Sequence, residues 1–99
     1  MVGTLLHIPV DAPAKTIVTM PLGATLDDAN YFAADLLDAE YPLEVHEIDT
    51  DIKVFTLVQD GMYEYNRGLT LAIDELLGIK VALEGPVVIC MLPPEILSR

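Results

Sequence analysis

The sequence predicts one small α+β domain covering residues 1–99, with two helices packed on one face of an antiparallel or mixed sheet. A chain of 99 residues supports a single modest core. Hydrophobic residues make up 53% of the chain, above the usual fraction of about 45–50%, so it should fold rather than stay disordered. The apolar pattern alternates between strand-like runs and two helical stretches, in the order β-β-α-β-β-β-α-β.

The first part of the chain predicts two strands and a helix. Residues 2–8 and 15–20 are expected to form strands, and the two prolines between them prevent a continuous ladder. Thr25 is a favourable N-cap, and Asp28 three residues later completes a short version of the capping box. Apolar residues then recur at helical spacing until Pro42, which is expected to end the helix.

The middle of the chain predicts three strands. Residues 43–48 and 52–58 have the composition of strands. Asp60 and Gly61 then supply the residue pair that a tight hairpin turn needs, because both central residues must adopt positive φ. Residues 62–65 are therefore expected to return as a short strand.

The last part of the chain predicts a helix followed by a strand. Asn66 can cap this helix, and Gly78 can end it in the left-handed conformation. Residues 81–83 are expected to begin the strand and residues 84–86 to turn or bulge. Residues 87–92 continue it as a buried run rich in β-branched side chains.

The chain is strongly acidic. Sixteen Asp and Glu residues stand against five Lys and Arg residues, for a formal net charge of −11. Nine carboxylates fall between Asp27 and Asp51, and no Lys or Arg occurs from Thr16 to Ile52. Because affinity for phosphate backbones comes from Lys and Arg, direct binding of nucleic acid is disfavoured. The acids are expected to form a negative outer surface.

The remaining composition indicates a soluble cytoplasmic protein. The lone Cys90 cannot form an internal disulfide, which fits a reducing compartment. No basic segment precedes an apolar run at the N-terminus, so no signal peptide is expected. The longest apolar run, residues 86–94, is shorter than the ~20 residues that a membrane span needs. The apolar surplus favours a homo-oligomer, because large exposed apolar patches usually mark contacts.

Residue types that serve catalysis or metal binding are poorly placed, so neither catalytic residues nor a metal or cofactor is expected. The only serine, Ser98, is the penultimate residue, where chains usually fray. Cys90 lies in an apolar run and is expected to be a small core residue rather than a reactive thiolate. His46 and Glu47 point to opposite sides of a strand, and residues 49–51 lack the spacing of a calcium loop. A solvated turn is the better interpretation of that run.

Three motifs follow one another in the second half of the chain. A strand runs into an acidic-Gly turn, an Asn precedes a short helix that ends in Leu-Gly, and a Gly leads an apolar strand. They lie at residues 55–61, from Asn66 to Gly78, and at residues 85–89. In this order, from Val54 to Pro94, they resemble a small family of uncharacterised proteins found mainly in bacteriophages, plasmids and bacterial genomes. The resemblance implies a phage-type, mobile-element protein and transfers no catalytic residues.

The acids around the first helix are the main candidate binding surface. Four residues on the polar face of the predicted helix, and three acids that follow, form it: Asp27, Tyr31, Asp35, Asp38, Glu40, Glu44 and Glu47. Surface helices usually place Lys or Arg one turn from an acid, and this one does not. One interpretation is a coat that keeps an apolar-rich protein in solution. The other is a surface whose carboxylates replace phosphates and attract a basic protein.

The first functional hypothesis is a non-enzymatic, phage-type accessory protein that binds a basic host protein stoichiometrically and inhibits it. A nucleic-acid-processing or defence factor would be the natural target. The second hypothesis is a homo-oligomer that holds a small molecule, such as a signalling nucleotide, at a subunit interface. The third is a structural or assembly oligomer.

Tyr63, Tyr65 and Arg67 are the candidate ligand-binding residues of the second hypothesis. Tyr63 and Tyr65 are expected to share one face of the returning strand, and tyrosines are frequent at binding hot spots. Arg67 could hold a phosphate or carboxylate bidentately. An ion pair between Arg67 and Glu64 is the more conventional expectation.

Overall fold

One antiparallel sheet of five strands and two helices form the part of the chain that the computed structural model describes, residues 3–10, 16–21 and 23–91. The elements are β1 Thr4–Ile8, β2 Thr16–Thr19, α1 Leu26–Leu36, β3 Glu44–Asp49, β4 Ile52–Thr56, α2 Arg67–Leu77 and β5 Val87–Met91. The strand order is β2-β1-β5-β4-β3, so the last strand of the chain lies in the centre. The predicted α+β class is confirmed, and every strand pair is antiparallel.

Two separate apolar layers cover opposite faces of the sheet. Val88 and Cys90 of β5 pack in the layer that holds α1, whereas Val87 and Ile89 pack in the layer that holds α2. All four side chains are fully buried, because successive strand residues point to opposite faces and both faces are covered. The prediction that both helices pack on one face is therefore wrong. The continuous apolar run of β5 is typical of a strand that is covered on both sides.

Helix α1 begins at the predicted cap and ends earlier than predicted. The Thr25 side chain accepts a hydrogen bond from the Asp28 N–H, and the Asp28 carboxylate accepts one from the Thr25 N–H. At the other end Asp38 adopts a φ of 52°, and the N–H of Ala39 bonds back to the carbonyl of Ala34. These are the contacts of a Schellman motif, which closes the helix before Pro42 can act on it.

Helix α2 is held to the sheet by its capping residue. The buried Asn66 side chain accepts a hydrogen bond from the Leu69 N–H at 3.0 Å, as an N-cap should. Its amide group also donates to the carbonyl oxygens of Ile8 and Gly85, each at 2.9 Å. Gly78 ends the helix with a φ of 70°, as predicted. One amide side chain therefore joins α2 to the end of β1 and to the segment before β5.

The predicted strands at residues 62–65 and 81–83 are absent. Tyr65 and Glu84 form only an isolated bridge between these segments. The Gln59 side chain takes the place of a strand, because its amide donates to the Glu84 carbonyl and accepts from the Glu84 N–H. The predicted hairpin does not form, because β4 is paired with β3 on one side and with β5 on the other and has no free edge for residues 62–65. The order has one strand fewer than expected.

Some sequence predictions fall outside the described residues. These are the outer ends of the predicted strands at residues 2, 15 and 92, the second proline between the first two strands, and Ser98.

Candidate functional site

The predicted protein-binding residues occupy three successive elements. Asp27, Tyr31 and Asp35 lie on the exposed side of α1. Asp38 and Glu40 follow the helix in the connection to β3 and are also exposed. Asp38 does not continue the helical stripe, because its left-handed backbone turns the chain away from the helix axis.

The two acids on β3 project from opposite faces of the sheet. In the sheet register Glu44 lies opposite Thr56 and Glu47 lies opposite Lys53. Thr56 and Lys53 are three residues apart on β4, so their side chains point to opposite faces of the sheet. Glu47 therefore extends on the α1 side and Glu44 on the α2 side. The seven predicted residues do not form one flat face; they continue around the edge of the sheet.

A buried polar residue of α1 fixes the start of β3. Asn30 donates from its side-chain amide to the Leu43 carbonyl at 3.1 Å and accepts from the Leu43 N–H at 2.8 Å. This pair ties the helix to the residue that immediately precedes Glu44. The sequence analysis missed Asn30, although a polar amide between Ala29 and the apolar positions of the same helical stripe could have indicated a buried contact.

The acids are poorly compensated by cations. Lys53 is buried, and its ammonium group donates to Glu47 Oε1 at 3.1 Å and to the carbonyl oxygens of Asp49 and Thr50, where β3 ends. Asp35, Asp38 and Glu40 are exposed, and none of the Lys or Arg side chains in the described residues pairs with them. Their charge is therefore directed into solvent.

Exposed aromatic rings stand among these acids. Tyr31 is 64% exposed, its ring centroid lies 6.5 Å from that of Phe32, and it lies 5.7 Å from that of Tyr41. The Tyr41 hydroxyl donates a hydrogen bond to Asp27, which is the main reason that the pKa of Tyr41 is raised. Phe32, one of the apolar residues at helical spacing on α1, is partly exposed beside Tyr31.

A groove of about 260 Å³ opens where the connection after α1 meets the ends of β3 and β4. Pro42, Val58 and Tyr63 supply apolar walls, and Glu40 and Glu44 also line it. A groove with apolar walls and two carboxylates suits a long cationic side chain, whose stem is apolar and whose head is charged.

The predicted ligand-binding residues are divided between two sites. Tyr65 and Arg67 line a depression of about 450 Å³ together with Val10 and Glu64. Tyr63 belongs to the other groove, and a Cβ added at Gly85 would lie 3.3 Å from its ring. Because residues 62–65 are not a strand, the two tyrosines do not share a strand face. The expected ion pair between Arg67 and Glu64 does not occur among the ion pairs of the described residues.

Cys90 and His46, which were considered for catalysis and metal binding, are buried or hydrogen-bonded within the fold. Cys90 is buried as predicted, and burial raises the pKa of its thiol to about 11 against an opposing effect of Lys53. His46 Nε2 lies 2.9 Å from the Thr56 hydroxyl and 3.7 Å from Glu44. Within residues 3–10, 16–21 and 23–91, no three His, Cys, Asp or Glu side chains are grouped so that they could hold a metal ion.

Comparison with family models, curated proteins and solved structures found no match to this chain. The resemblance of the segment from Val54 to Pro94 to a phage-type family therefore stays a prediction. In the part of the chain that the structure describes, no helix has the length and apolar character needed to cross a membrane.

Proposed function

We propose that this chain is a non-enzymatic, phage-type accessory protein that binds a basic host protein stoichiometrically and inhibits it. The observation that carries the proposal is the set of exposed acids from α1 to β3, of which Asp35, Asp38 and Glu40 pair with no Lys or Arg of the described residues. Glu47 pairs with Lys53 and still remains largely exposed. Its protein-binding residues are those named from the sequence: Asp27, Tyr31, Asp35, Asp38, Glu40, Glu44 and Glu47. A nucleic-acid-processing or defence factor fits this surface, because its own ligand is a polyanion.

The aromatic rings favour a binding surface over a coat that only maintains solubility. A solubility coat needs charge but gains nothing from exposed apolar rings. A binding surface uses tyrosine for large contact area and a polar tip, and it places such rings at hot spots. Tyr31 lies one helical turn from both Asp27 and Asp35, and Tyr41 is beside it and bonds to Asp27, so these two rings supply the area.

Exposed carboxylates act mainly on the rate and specificity of association. A single exposed ion pair contributes only about 0–1 kcal/mol, so the acids alone would not give tight binding. Their summed field attracts a basic surface over about a Debye length, which is ~8–10 Å near physiological salt. Binding should therefore weaken steeply as salt rises.

The experiment is capture of host proteins on the immobilised chain over a series of salt concentrations, repeated with the double variant Asp35→Lys and Asp38→Lys. The matched control is Glu64→Lys with Glu75→Lys, which makes the same charge change at exposed positions outside the proposed surface. We expect the first variant to lose a basic protein that both the unmodified chain and the control retain. The captured protein should also be released by duplex DNA and lose its own activity at one equivalent of the chain. Equal capture by both variants would refute the proposal.

A second candidate function is supported by the depression at Tyr65 and Arg67. Its aromatic ring and guanidinium group could hold a small anionic molecule such as a nucleotide, with Glu64 accepting from donor groups. The test is a thermal-shift screen over a nucleotide panel, with Arg67→Ala as the variant. Stabilisation by a nucleotide that disappears in the variant supports this candidate, and a flat screen removes it.

A further inference from the structure

The inference concerns β3, an edge strand of the sheet. One side of β3 is paired with β4, and among the described residues no strand pairs with its other side. An open edge presents unpaired N–H and C=O groups, which can take up another extended chain. The side chains of this strand are mostly exposed, including Val45 at 43%, so the edge can be reached from solvent.

The chemistry of this edge selects its occupant. Exposed edges often carry lysine or proline, but β3 carries Glu44, Glu47 and Asp49. Pairing with the β3 strand of a second copy would bring carboxylates close to one another on strands that carry no Lys or Arg, which is unfavourable. An acidic or neutral strand gains nothing from these side chains, whereas a basic strand gains opposite-charge pairs.

We propose that the open edge of β3 takes up an extended, Lys- and Arg-rich segment of the partner as a sixth strand. This inference rests on the proposed function and deepens it, because it states the conformation and charge of the bound segment. Since Glu44 and Glu47 project from opposite faces, basic residues on both faces of the added strand find a carboxylate. Glu47 remains 71% exposed although it pairs with Lys53, so it can accept a second cation.

The groove beside Glu44 adjoins the edge of β3 and can hold the end of the added segment. Glu44 belongs both to the edge strand and to the groove that Tyr63 lines. An arginine at the end of the added segment can place its guanidinium group between the two glutamates of the groove and near the Tyr63 ring. Carboxylates and aromatic faces are both favourable partners of guanidinium.

The test uses a defined peptide, because strand addition leaves a signature on individual backbone amides. The probe is an acetylated and amidated peptide of arginine and valine, as long as the six residues of β3. The control is the same peptide with every backbone amide N-methylated, which keeps the charge but removes the hydrogen-bond donors. Backbone NMR of the full chain then reports chemical shifts and hydrogen exchange with each peptide.

We expect the unmethylated peptide to slow exchange about tenfold or more at β3 amides that exchange freely in the unbound chain, because buried sheet bonds protect amides. The double variant Glu44→Gln and Glu47→Gln should weaken binding about threefold or more, in line with the loss of two exposed ion pairs. The matched variant Glu64→Gln with Glu75→Gln, at exposed positions outside the proposed surface, should leave protection of β3 unchanged.

Three outcomes overturn strand addition. The first is shifts on α1 without protection of β3, which leaves the proposed function standing. The second is equal protection by the N-methylated peptide. The third is protection that rises with protein concentration alone, which would identify a second copy as the occupant. Loss of host-protein capture in the charge-reversal experiment, by contrast, tests the proposed function and not the conformation of the bound segment.

Discussion

Asn66 joins three parts of the molecule through one buried amide. It caps α2, bonds to the end of β1 and bonds to Gly85 before β5. A buried polar group that loses its partner costs about 1–3 kcal/mol, more than a typical hydrogen bond contributes when it is formed. The sequence identifies Asn66 only as a cap, because the two carbonyl groups come from segments far away in the chain.

We predict that Asn66→Ala lowers the free energy of unfolding by about 3 kcal/mol. About 1 kcal/mol of this is the lost helix cap, and the rest is the two carbonyl groups left without a partner. The matched control is Thr25→Ala, an exposed cap that should cost only about 1 kcal/mol. Urea denaturation of both variants measures the difference, and equal losses would contradict the prediction.

We predict that Cys90 makes the fold less stable at alkaline pH. The pKa of the folded thiol is raised from its usual 9.0 to about 11 by burial. Between these values the unfolded chain has released a proton that the folded chain still holds, so stability falls as pH rises through this window. Below pH 9 the full stability is present. For one such group the free energy of unfolding falls by at most about 1.4 kcal/mol per pH unit.

The measurement is urea denaturation from below to above this window for the unmodified chain and for Cys90→Ala. Removing the thiol creates a small cavity, so the variant starts at lower stability, but its stability should fall less steeply with pH. Parallel curves would show that burial does not perturb this thiol.

At the scale of the element, α2 approaches β1 so closely that the position of Gly68 has no space for a side chain. A Cβ added at Gly68 would lie 2.9 Å from Ile8 Cγ2. Glycine usually weakens a helix by about 1 kcal/mol relative to alanine, and the sequence alone therefore suggests a poor position. The contact with Ile8 explains why glycine stands at position 68, because only a residue without a side chain lets α2 pack this closely against the apolar layer that contains Ile8, Leu69 and Ile73.

We predict that Gly68→Ala destabilises the protein by about 1–2 kcal/mol despite the better helix propensity of alanine, since overpacking has a cost of this size. The double variant with Ile8→Ala should lose less stability than the two single losses combined, by about 1 kcal/mol or more. A double-mutant cycle from urea denaturation gives this coupling. If Gly68→Ala stabilises the protein, or if the two losses are additive, the contact with Ile8 does not exclude a side chain at position 68 and the prediction is wrong.

At the scale of the whole molecule, the net charge of −11 and the apolar surface act in opposite directions. Charge repulsion between copies opposes self-association and is screened by salt. Exposed apolar residues such as Leu71 at 68% and Met62 at 78% favour it. Salt should strengthen self-association, because it screens the repulsion between copies, and should weaken binding to a basic partner, because it screens attraction. The direction of the salt dependence therefore distinguishes self-association from partner binding.

We predict a homo-oligomer whose mass distribution shifts toward larger species as salt rises. Light scattering on size-exclusion fractions measures it. Leu71→Glu on the outer side of α2 should shift the distribution toward the monomer by about tenfold in the association constant, as expected when a buried apolar contact of ~1–2 kcal/mol is replaced by charge. Thr50→Glu is the control, because it adds the same charge at an exposed polar position in the turn between β3 and β4. A monomer at all salt concentrations would refute the prediction.

Local signals in the sequence were enough to predict most of the elements. Thr25 and Asp28 start α1, and Asn66 and Gly78 bound α2, because caps depend on residues a few positions apart. The same local logic failed for residues 62–65. There the hairpin that Asp60 and Gly61 suggested cannot form, because β4 already pairs with β3 and with the distant β5.

The sequence by itself determined the α+β class, the order of the elements that form and the large excess of acids between the first helix and the third strand. These follow from composition and from short-range patterns. Only the tertiary structure decided that the helices lie on opposite faces, that Glu44 and Glu47 point away from each other at an open edge, and that Tyr63 is separated from Tyr65 and Arg67. The physical reason is that faces, edges and grooves are created by strand register and by long-range contacts, which no local pattern specifies.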